Sequence, residues 1–380
     1  MKIFLNGLSL LSPHTGIGRY TKSLAFELKR EKSIELTLFY GFGVDQKIRE
    51  SHHRQISSLK EFVKKYTPES AARAFERWIL SRSFKRYESQ IKPDIYHEPN
   101  YLLFPSRTPS VITVHDISFI RHPETHPRAR IVVMNRYFKE SLLRAAALIT
   151  DSNFTARELI SVFPEVSDKV HTVYLGVNQQ YSPVSLSQKS MTCEKYGIES
   201  GKYILTVGTL EPRKNLNLLF QAYQELPEDY KNRYKLFVVG MKGWKTESIS
   251  LEMKTLIQNG SLILPGFIDE NDMPAIYSAA SCFVYPSLYE GFGLPSLEAM
   301  ACGTPVIVSN ASSLPEVTGR AAVLVAPDNK TQLASALFNF LNDRNMAEKY
   351  SAMGIKQAKN FTWKKCAEET VKIYESVQRK

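Results

Sequence analysis

YPSLYEGFGLPSLEAMACGTPVIV, residues 285–308, combines a strand, a glycine loop, a helix and a second buried strand. The helix is predicted to begin near Leu294, because Pro295 in a first turn loses no helical hydrogen bond. Gly303 is placed to end the helix, and Pro305 prevents its continuation. A glycine loop before a helix aims backbone N–H groups and the positive end of the helix dipole at one point, which suits a phosphate.

Two carboxylates flank the Gly-Phe-Gly turn of this stretch: Glu290 before the helix and Glu298 within it. In a ligand site, the two acids would lie on either side of a molecule bound at the start of the helix. A surface loop with two solvated glutamates fits the same pattern. The stretch alone leaves both interpretations open, so the other loops of the chain have to decide between them.

The composition is that of a soluble globular protein, since 43% of the 380 residues are hydrophobic and 23% are charged. The length predicts two domains. No apolar run approaches the roughly 20 residues of a membrane span, and Met1–Leu5 is typical of a strand rather than a signal peptide. Four cysteines without pairing or metal-ligand spacing predict reduced, buried thiols in a cytoplasmic protein.

The net charge of +11 indicates either a role in solubility or an anionic partner, which could be nucleic acid, an anionic membrane face or a phosphate-bearing substrate. The sequence contains no recognised nucleic-acid motif, so no nucleic-acid partner is expected. Residues 51–92 hold ten Lys or Arg and four Glu, with aromatic residues between them. A basic amphipathic helix of this kind can lie on an anionic membrane, where each cation contributes about 1 kcal/mol. A solvated helix whose aromatic residues pack on its own domain is an equal alternative.

Apolar runs of strand length, rich in Val, Ile and Leu, alternate with segments of helical spacing along the chain. Continuous apolar runs are typical of parallel strands buried on both faces. The runs form two series separated by the polar segment 178–200, which predicts two doubly wound α/β domains in tandem. The first series is predicted at 2–5, 35–40, 94–97, 110–115, 147–150 and 170–175, and the second at 203–208, 236–240, 262–264, 282–287, 305–309 and 322–325.

Ligands of parallel α/β sheets bind outside the carboxyl ends of the strands, so the residues that follow each strand are candidates for a site. Gly16 and Gly18 lie between the first strand and a helix predicted from Arg19. Their backbone N–H groups would meet a phosphate or sugar oxygen, and a plain turn fits equally. His115 and Asp116 end a buried strand, which favours hydrogen bonding or proton transfer over a satisfied core histidine.

The second series has the more specific strand ends. Gly208 is followed by Arg213 and Lys214, two adjacent cations that can neutralise a diphosphate. Cations at the start of a helix oppose its dipole, so their placement there requires a compensating anion. Gly266 and Phe267 follow another strand, and the spacing of residues 269–280 predicts an amphipathic helix after them. Their loop fits backbone contacts to a nucleobase, and it fits a packing glycine equally.

With these loops taken together, the sequence resembles the retaining glycosyltransferases of family 4. The resemblance is carried by GTLEPRKN at 208–215, by the Gly-Phe pair at 266–267, and above all by EGFGLPSLEAMACGTPV at 290–306. TGIGR at 15–19 and VHD at 114–116 match less specifically. The match covers nearly the whole chain. It implies the GT-B fold, in which two Rossmann-like, doubly wound parallel-sheet domains face each other across a cleft.

The resemblance also implies how the chain is divided. Residues 1–180 would form an acceptor-binding domain and residues 181–360 a nucleotide-sugar-binding domain. Residues 361–380 would form a helix that crosses back to the first domain. Enzymes of this family are usually metal-independent, so the resemblance implies neither a metal site nor a cofactor.

The roles implied for individual residues all concern a nucleotide-sugar donor. Arg213 and Lys214 would hold the diphosphate, Glu298 the ribose and Glu290 the hexose, while His115 would contact the sugar. The implied catalytic residues are His115, Arg213, Lys214 and Glu290. The implied donor-binding residues are Gly16, Gly18, Gly208, Phe267, Phe292, Gly293, Leu294 and Glu298.

Within the family, the sequence is most similar to bacterial mannosyltransferases that build lipopolysaccharide O-antigen or capsule. This implies transfer of mannose from GDP-mannose to a hydroxyl of a lipid-linked glycan, with retention of configuration. The named loops do not decide the base or the sugar, so a UDP-glucose- or UDP-galactose-dependent transferase stays open. A basic nucleotide- or nucleic-acid-binding protein is the alternative that is not an enzyme. A lipid-linked acceptor would make the cytoplasmic protein peripheral on the inner face of the plasma membrane.

Overall fold

The structure is a computed structural model that describes residues 1–11, 16–49, 69–241, 250–266 and 268–379. The chain forms two compact units. The first consists of Met1–Gly176 and Trp363–Lys380, and the second of Val177–Thr362. Val177 and Thr362 form a parallel β-bridge with each other, so the second unit begins and ends at adjacent residues.

Among the described residues, the first unit contains a seven-stranded sheet. Its order is β3-β2-β1-β4-β5-β6-β7, and every pair is parallel except β2 with β3. The strands are β1 (Lys2–Asn6), β2 (Glu35–Phe39), β3 (Val44–Asp45), β4 (Ile95–Glu98), β5 (Ser110–Val114), β6 (Ala147–Thr150) and β7 (Val170–Thr172). The helices that precede the second unit are α1 (Gly16–Leu28), α2 (Glu69–Ile91), α3 (Ser118–Arg121), α4 (Arg128–Arg144) and α5 (Asn153–Val162).

The described part of the second unit contains a six-stranded sheet in which all strands are parallel. Its order is β10-β9-β8-β11-β12-β13. The strands are β8 (Tyr203–Val207), β9 (Lys235–Val239), β10 (Leu262–Ile263), β11 (Cys282–Tyr285), β12 (Val306–Ser309) and β13 (Ala322–Val325). The helices are α6 (Leu186–Lys195), α7 (Leu216–Gln224), α8 (Glu228–Arg233), α9 (Ser250–Gln258), α10 (Met273–Ala279), α11 (Leu294–Ala301), α12 (Leu314–Thr318), α13 (Lys330–Asn342) and α14 (Arg344–Ala358).

The predicted doubly wound architecture is confirmed in both units. Every residue of β5 and of β8 is buried, as expected for strands covered on both faces. The strand order reverses between β1 and β4 in the first sheet and between β8 and β11 in the second. Ligand crevices of such sheets open at these reversals, outside the carboxyl ends of the strands. The residues that follow these four strands are therefore placed to form sites.

The last helix, α15 (Trp363–Gln378), belongs to the first unit although it follows the second in sequence. Its Tyr374 OH lies 2.5 Å from His97 Nδ1. The other ring nitrogen of His97 lies 2.8 Å from Thr113 Oγ1, which in turn lies 2.8 Å from Tyr20 OH. Burial lowers the pKa of His97 to about 3, so its ring is neutral. This uncharged network ties α15 to β4, β5 and α1.

The glycines predicted to form a loop after β1 lie inside a helix instead. The helix expected from Arg19 begins at Gly16, so Gly16 and Gly18 occupy the first turn of α1. Gly18 is buried, and so is Tyr20, which lies two residues further along α1. At Gly16, an added Cβ would have no described atom within 4 Å. Packing within the described residues therefore does not require a glycine at that position.

Two elements of the second unit end earlier or are shorter than predicted. The strand expected over 282–287 ends at Tyr285, because Pro286 has no N–H to donate to the sheet. The amphipathic helix expected over 269–280 is confined to α10, of which six of seven residues are buried. Helix α10 packs against both α6 and α11, which leaves little of its surface to solvent.

Of the two interpretations of the basic segment 51–92, packing on its own domain is observed for part of α2, and membrane contact stays a prediction. Residues 51–68 lie outside the described residues. In α2, Phe84 is fully buried in the core of the first unit. Phe75 and Trp78 are 54% and 50% exposed, and their rings stack at 5.9 Å. Throughout the described residues, no helix combines the length and the apolar character that a membrane span requires.

Candidate active site

The loop after β8 carries two cations to the carboxyl end of β11. Pro212–Lys214 form one turn of 3-10 helix, which Asn215 ends in the left-handed conformation with a φ of 55°. The side-chain amide of Asn215 donates to the carbonyl oxygens of Pro286 at 3.1 Å and Pro327 at 2.7 Å. These bonds attach the turn to the segments that follow β11 and β13.

Five side chains form a buried ion cluster at this place: Glu211, Arg213, Lys214, Tyr285 and Glu290. Lys214 Nζ lies 2.7 Å from Glu290 Oε1 and 2.6 Å from Tyr285 OH. Arg213 Nη1 lies 3.1 Å from Glu290 Oε2, and its Nη2 lies 2.7 Å from Glu211 Oε1. The four charged side chains are at most 14% exposed. Their two positive and two negative charges cancel.

The ionisation of the ion cluster follows from burial and from the opposite charges. Burial would raise the pKa of Glu290, but Arg213 and Lys214 outweigh this effect and lower that pKa to about 2. Burial lowers the pKa of Lys214, and the attraction of Glu290 offsets the change only in part. Glu290 is therefore ionised at neutral pH. A second anion can bind the two cations only by sharing or exchanging these contacts.

Replacing Glu290 by Gln is expected to remove a pH-dependent part of the stability. The folded pKa of Glu290, about 2, lies below its ordinary value of 4.5. Its ionisation therefore stabilises the protein fully above that ordinary value, and the contribution is lost as the pH falls towards 2. The shift corresponds to roughly 3 kcal/mol. Urea unfolding should give free energies for wild type and Glu290→Gln that differ most near pH 7 and converge below about pH 5.

Glu228→Gln is the matched control for this measurement. Glu228 is 81% exposed in its salt bridge with Lys231, so water screens its charge. The control should unfold with the same pH dependence as the wild type. A difference between wild type and Glu290→Gln that stays constant down to about pH 3 would contradict the depressed pKa.

Gly208 and Gly240 lack a Cβ, and this leaves space for the loop that carries the ion cluster. Gly208 has a φ of 154°, and an added Cβ would lie 3.3 Å from Lys214 Cε. At Gly240, which follows β9, an added Cβ would lie 1.9 Å from the carbonyl oxygen of Gly208. Gly208 N also donates to Val239 O at 2.9 Å, which holds the two strand ends together. Gly208 therefore lets the Lys214 side chain cross the loop.

The glycine loop before α11 has the predicted local structure. Gly293 has a φ of 98°, a conformation that other residues rarely adopt, and an added Cβ would lie 2.5 Å from a leucine of α12. Leu294 is the first residue of α11, as predicted. Phe292 is buried and packs edge-on against Phe361 at 5.8 Å. Its side chain therefore anchors the loop to the end of the second unit.

Glu298 lies on the buried face of α11 and is 3% exposed. Its Oε2 accepts a hydrogen bond from Tyr277 OH at 2.9 Å, so α10 positions this carboxylate. Phe267, predicted to contact the donor, lies outside the described residues. Among the residues that are described, no group of three or more His, Cys, Asp or Glu side chains is arranged to hold a metal ion.

His115 lies in the first unit, at the carboxyl end of β5, with both ring nitrogens engaged. Nδ1 lies 2.7 Å from Asp151 Oδ2, and Nε2 lies 2.8 Å from the carbonyl oxygen of Pro99. The rings of Tyr20 and Tyr101 stand edge-on to the imidazole at 4.9 and 5.9 Å. The structure thus joins Arg213, Lys214 and Glu290 in the second unit, while His115, Gly16 and Gly18 belong to the first.

Sequence reasoning missed several partners of the predicted residues. Glu211 lies within the quoted motif, but its pairing depends on the geometry of the turn. Ser312 Oγ accepts a hydrogen bond from Glu290 N, and Ser313 Oγ donates to Glu290 O, both at 2.9 Å. These serines follow β12, and Asp151 follows β6. Applying the rule of strand ends to every strand would have found them.

Comparison with known proteins identifies the family. The model of the family described as Glycosyltransferase Family 4 matches residues 14–181, and that of Glycosyl transferases group 1 matches residues 192–357. The O-antigen chain mannosyltransferase B of Escherichia coli is 35% identical, over 98% of this chain and 99% of that protein. The chain belongs to the family 4 glycosyltransferases. The resemblance inferred from the sequence motifs is therefore confirmed.

Solved structures extend the comparison to the fold of this family 4 glycosyltransferase. Sucrose-phosphate synthase from Thermosynechococcus elongatus superposes with a TM-score of 0.74 at 20% identity, covering 99% of both chains. WaaG, a glycosyltransferase involved in lipopolysaccharide biosynthesis, superposes with a TM-score of 0.72 at 16% identity, covering 98% of this chain and 99% of WaaG. At these identities the likeness concerns the fold alone, and it confirms the GT-B fold.

Proposed function

We propose that this glycosyltransferase moves mannose from GDP-mannose to a hydroxyl of a lipid-linked glycan in the synthesis of a bacterial cell-surface polysaccharide. The observation that carries the proposal is the ion cluster, because two cations converge at the strand reversal where a donor diphosphate would bind. The full-length similarity to an O-antigen mannosyltransferase supports mannose as the sugar. UDP-glucose and UDP-galactose are the alternative donors.

In the proposed reaction, an acceptor hydroxyl oxygen attacks the anomeric carbon from the face that the diphosphate leaves. The new bond forms as the bond between the anomeric carbon and the diphosphate oxygen breaks. The hydroxyl proton passes to an oxygen of the leaving phosphate, so the step needs no protein nucleophile and retains the configuration. Arg213 and Lys214 would stabilise the negative charge that accumulates on the diphosphate.

Glu290 and Glu298 have separate roles in this proposal. When the donor binds, Arg213 and Lys214 would divide their contacts between Glu290 and the diphosphate. Glu290 would also accept hydrogen bonds from hexose hydroxyls, and Glu298 would bind the ribose. The backbone of residues 292–294 would support the sugar and phosphate oxygens. The further donor contacts, which rest on the family motifs, are Gly16, Gly18, His115, Gly208 and Phe267.

The proposal is tested by incubating the purified protein with GDP-mannose, UDP-glucose or UDP-galactose and with lipid-linked glycan acceptors. Release of GDP together with an acceptor extended by mannose is the expected result. Turnover with a UDP-hexose but not with GDP-mannose would show that the donor is a UDP-hexose and overturn the assignment of GDP-mannose. Extension of free sugars but of no lipid-linked glycan would overturn the proposed acceptor.

Glu298→Ala is expected to weaken GDP binding by about tenfold or more, because the carboxylate would lose charge-assisted hydrogen bonds to the ribose. The ribose does not change during the reaction, so KM should rise while kcat stays nearly unchanged. Calorimetric titration with GDP and steady-state kinetics measure the two effects. Glu199→Ala, at a glutamate that is 67% exposed, controls for a general loss of negative charge. A lower kcat at unchanged GDP affinity would contradict the ribose role.

We also propose that the exposed half of α2 contacts an anionic membrane, where a lipid-linked acceptor would reside. The pair Phe75 and Trp78 is half exposed, and the Arg82 guanidinium lies over the Trp78 ring at 3.9 Å. Lys85 and Arg86, in the next turn, are exposed as well. Aromatic rings flanked by cations suit the headgroup level of an anionic bilayer. This contact would make the enzyme peripheral on the inner face of the plasma membrane.

Vesicles that contain an anionic lipid are expected to sediment the protein at low salt and to release it at high salt. The double variant Trp78→Ala/Arg82→Ala should remain largely in the supernatant. Phe26 on α1 and Arg30, two residues beyond the end of that helix, form a comparable exposed pair with the guanidinium 5.7 Å from the ring. Phe26→Ala/Arg30→Ala is therefore the matched control. Equal sedimentation of both double variants would rule out α2 as the contact.

A further inference from the structure

The imidazole of His115 is held between two hydrogen-bond acceptors. The Pro99 carbonyl oxygen can only accept, so Nε2 must carry a hydrogen. At the other side, Nδ1 and Asp151 Oδ2 are 2.7 Å apart, a distance typical of a hydrogen bond between charged groups. A second proton therefore lies between the ring and the carboxyl group. The geometry leaves one question, which is whether this proton belongs to the ring or to the carboxyl group.

The second proton is expected to stay on the ring. Burial alone would lower the pKa of His115, but the Asp151 carboxylate and the Pro99 carbonyl together raise it above the ordinary value. Burial raises the pKa of Asp151 above its ordinary value, and the attraction of the positive ring offsets this rise only in part. Imidazole is also the more basic group in water, by more than two pK units. An ion pair between imidazolium and carboxylate follows.

Among the residues that the structure describes, the other groups that face His115 do not supply a competing positive charge. His97 is neutral, because burial lowers its pKa to about 3. Burial raises the pKa values of Tyr20 and Tyr101 well above their ordinary value, so both phenols are neutral. Asp116 contributes a further negative charge that favours the imidazolium. Within the described part of the chain, the titratable groups that face the ring are His97, Asp116, Asp151, Tyr20 and Tyr101.

The hydrogen bond with His115 is the main polar contact of the Asp151 carboxylate among the described residues. Asp151 is 3% exposed, and its Oδ1 is buried with no hydrogen-bond partner among the residues that the structure describes. A buried carboxylate oxygen without a partner is costly, so packing alone gives no reason for an acid at this position. The ion pair with His115 supplies that reason. The edge-on rings of Tyr20 and Tyr101 then prevent the imidazole from turning away.

We propose that Asp151 is a positioning residue that holds His115 as an imidazolium of fixed orientation, with its Nε2 hydrogen directed along the Pro99 carbonyl. His115 then acts as a fixed positive charge whose two N–H groups are held by Asp151 and Pro99, and it is not a general base at neutral pH. This agrees with a transfer step in which the leaving phosphate oxygen takes the proton. The consequence for catalysis rests on the proposed contact of His115 with the donor.

The charge of His115 is measured by NMR of the full-length protein labelled with 15N-histidine, with the His115 signals assigned by their loss in His115→Gln. In the wild type, both ring nitrogens of His115 should be protonated at pH 7.5. In Asp151→Asn, the midpoint of its titration should fall by at least about one pH unit. Asp168→Asn, an exposed acid of the same unit, should leave the midpoint unchanged. A neutral His115 ring in the wild type at pH 7.5 would overturn the inference.

Kinetics with GDP-mannose and a lipid-linked acceptor separate positioning from a merely structural role. Because Asp151→Asn would lose the ring proton at a lower pH, the ratio of wild-type to variant kcat/KM should grow between pH 6 and pH 8. A ratio that does not depend on pH would overturn the positioning role. If Asp151→Asn does not fold, the wild-type spectrum still decides the charge, and Asp151→Glu should keep the ring protonated. Absence of turnover with GDP-mannose would refute the proposed function and leave the NMR result valid.

Discussion

Lys214→Met is expected to lower kcat/KM by about a hundredfold or more. The substitution keeps most of the aliphatic chain and removes the charge that faces Glu290 at 2.7 Å and would face the diphosphate of a donor. Losing one group that stabilises developing charge typically costs a factor of about 10² to 10³ in rate. Steady-state kinetics measure the loss, with GDP-mannose or with whichever of UDP-glucose and UDP-galactose supports transfer.

Binding of nucleotide without a sugar separates a catalytic from a structural role of Lys214. If the cation binds the diphosphate, Lys214→Met should weaken GDP binding about tenfold or more. Glu290→Gln should bind GDP at least as tightly as the wild type, because it removes the anion that competes for Arg213 and Lys214. Its transfer rate should nevertheless fall. Equal weakening of GDP binding in both variants would show that the ion cluster serves only to hold the fold together.

Gly240→Ala is expected to destabilise the protein by about 3 kcal/mol or more and to abolish transfer. The added methyl group would lie 1.9 Å from the Gly208 carbonyl oxygen and 2.7 Å from its carbon, and backbone atoms cannot turn away as a side chain can. The loop after β8 would therefore have to move, and Arg213 and Lys214 would move with it. Urea unfolding and nucleotide release measure the two effects.

Gly43→Ala provides the control for this substitution, because a Cβ at Gly43 has no described atom within 4 Å. It should change the unfolding free energy by no more than about 0.5 kcal/mol and leave activity unaffected. Wild-type stability and full activity of Gly240→Ala would contradict this prediction. Such a result would mean that the ends of β8 and β9 can move apart at little cost.

Much of the fold and part of the candidate site could be predicted because their signals are local in sequence. Continuous apolar runs predicted the parallel strands, and the glycine and proline around Leu294 predicted the start of α11. Arg213 and Lys214 were expected to need a compensating anion, and Glu290 is that anion in the structure. This pairing joins residues 76 positions apart, so no local pattern could specify it.

The predictions that failed concern competition between neighbouring elements. The helix predicted over 269–280 was judged by its own periodicity, but α10 is covered by α6 and α11 and has no need of a polar face. Gly16 and Gly18 were expected in a loop before a helix that starts at Arg19, and the structure instead begins α1 at Gly16. Asp151 was missed because a single acid after a strand carries no motif. Its importance depends on His115, which follows the neighbouring strand β5.

The position of α15 in the first unit has a consequence for the order in which the chain folds. During synthesis, the residues of the second unit, 177–362, emerge as one uninterrupted segment and can fold as soon as they are free. The first unit, although its strands are made earlier, lacks its last helix until residues 363–378 have been added. Until then His97 has no Tyr374 to bond, and the surface that α15 covers is open to water. The half of the enzyme that is synthesised first is therefore the half that is completed last.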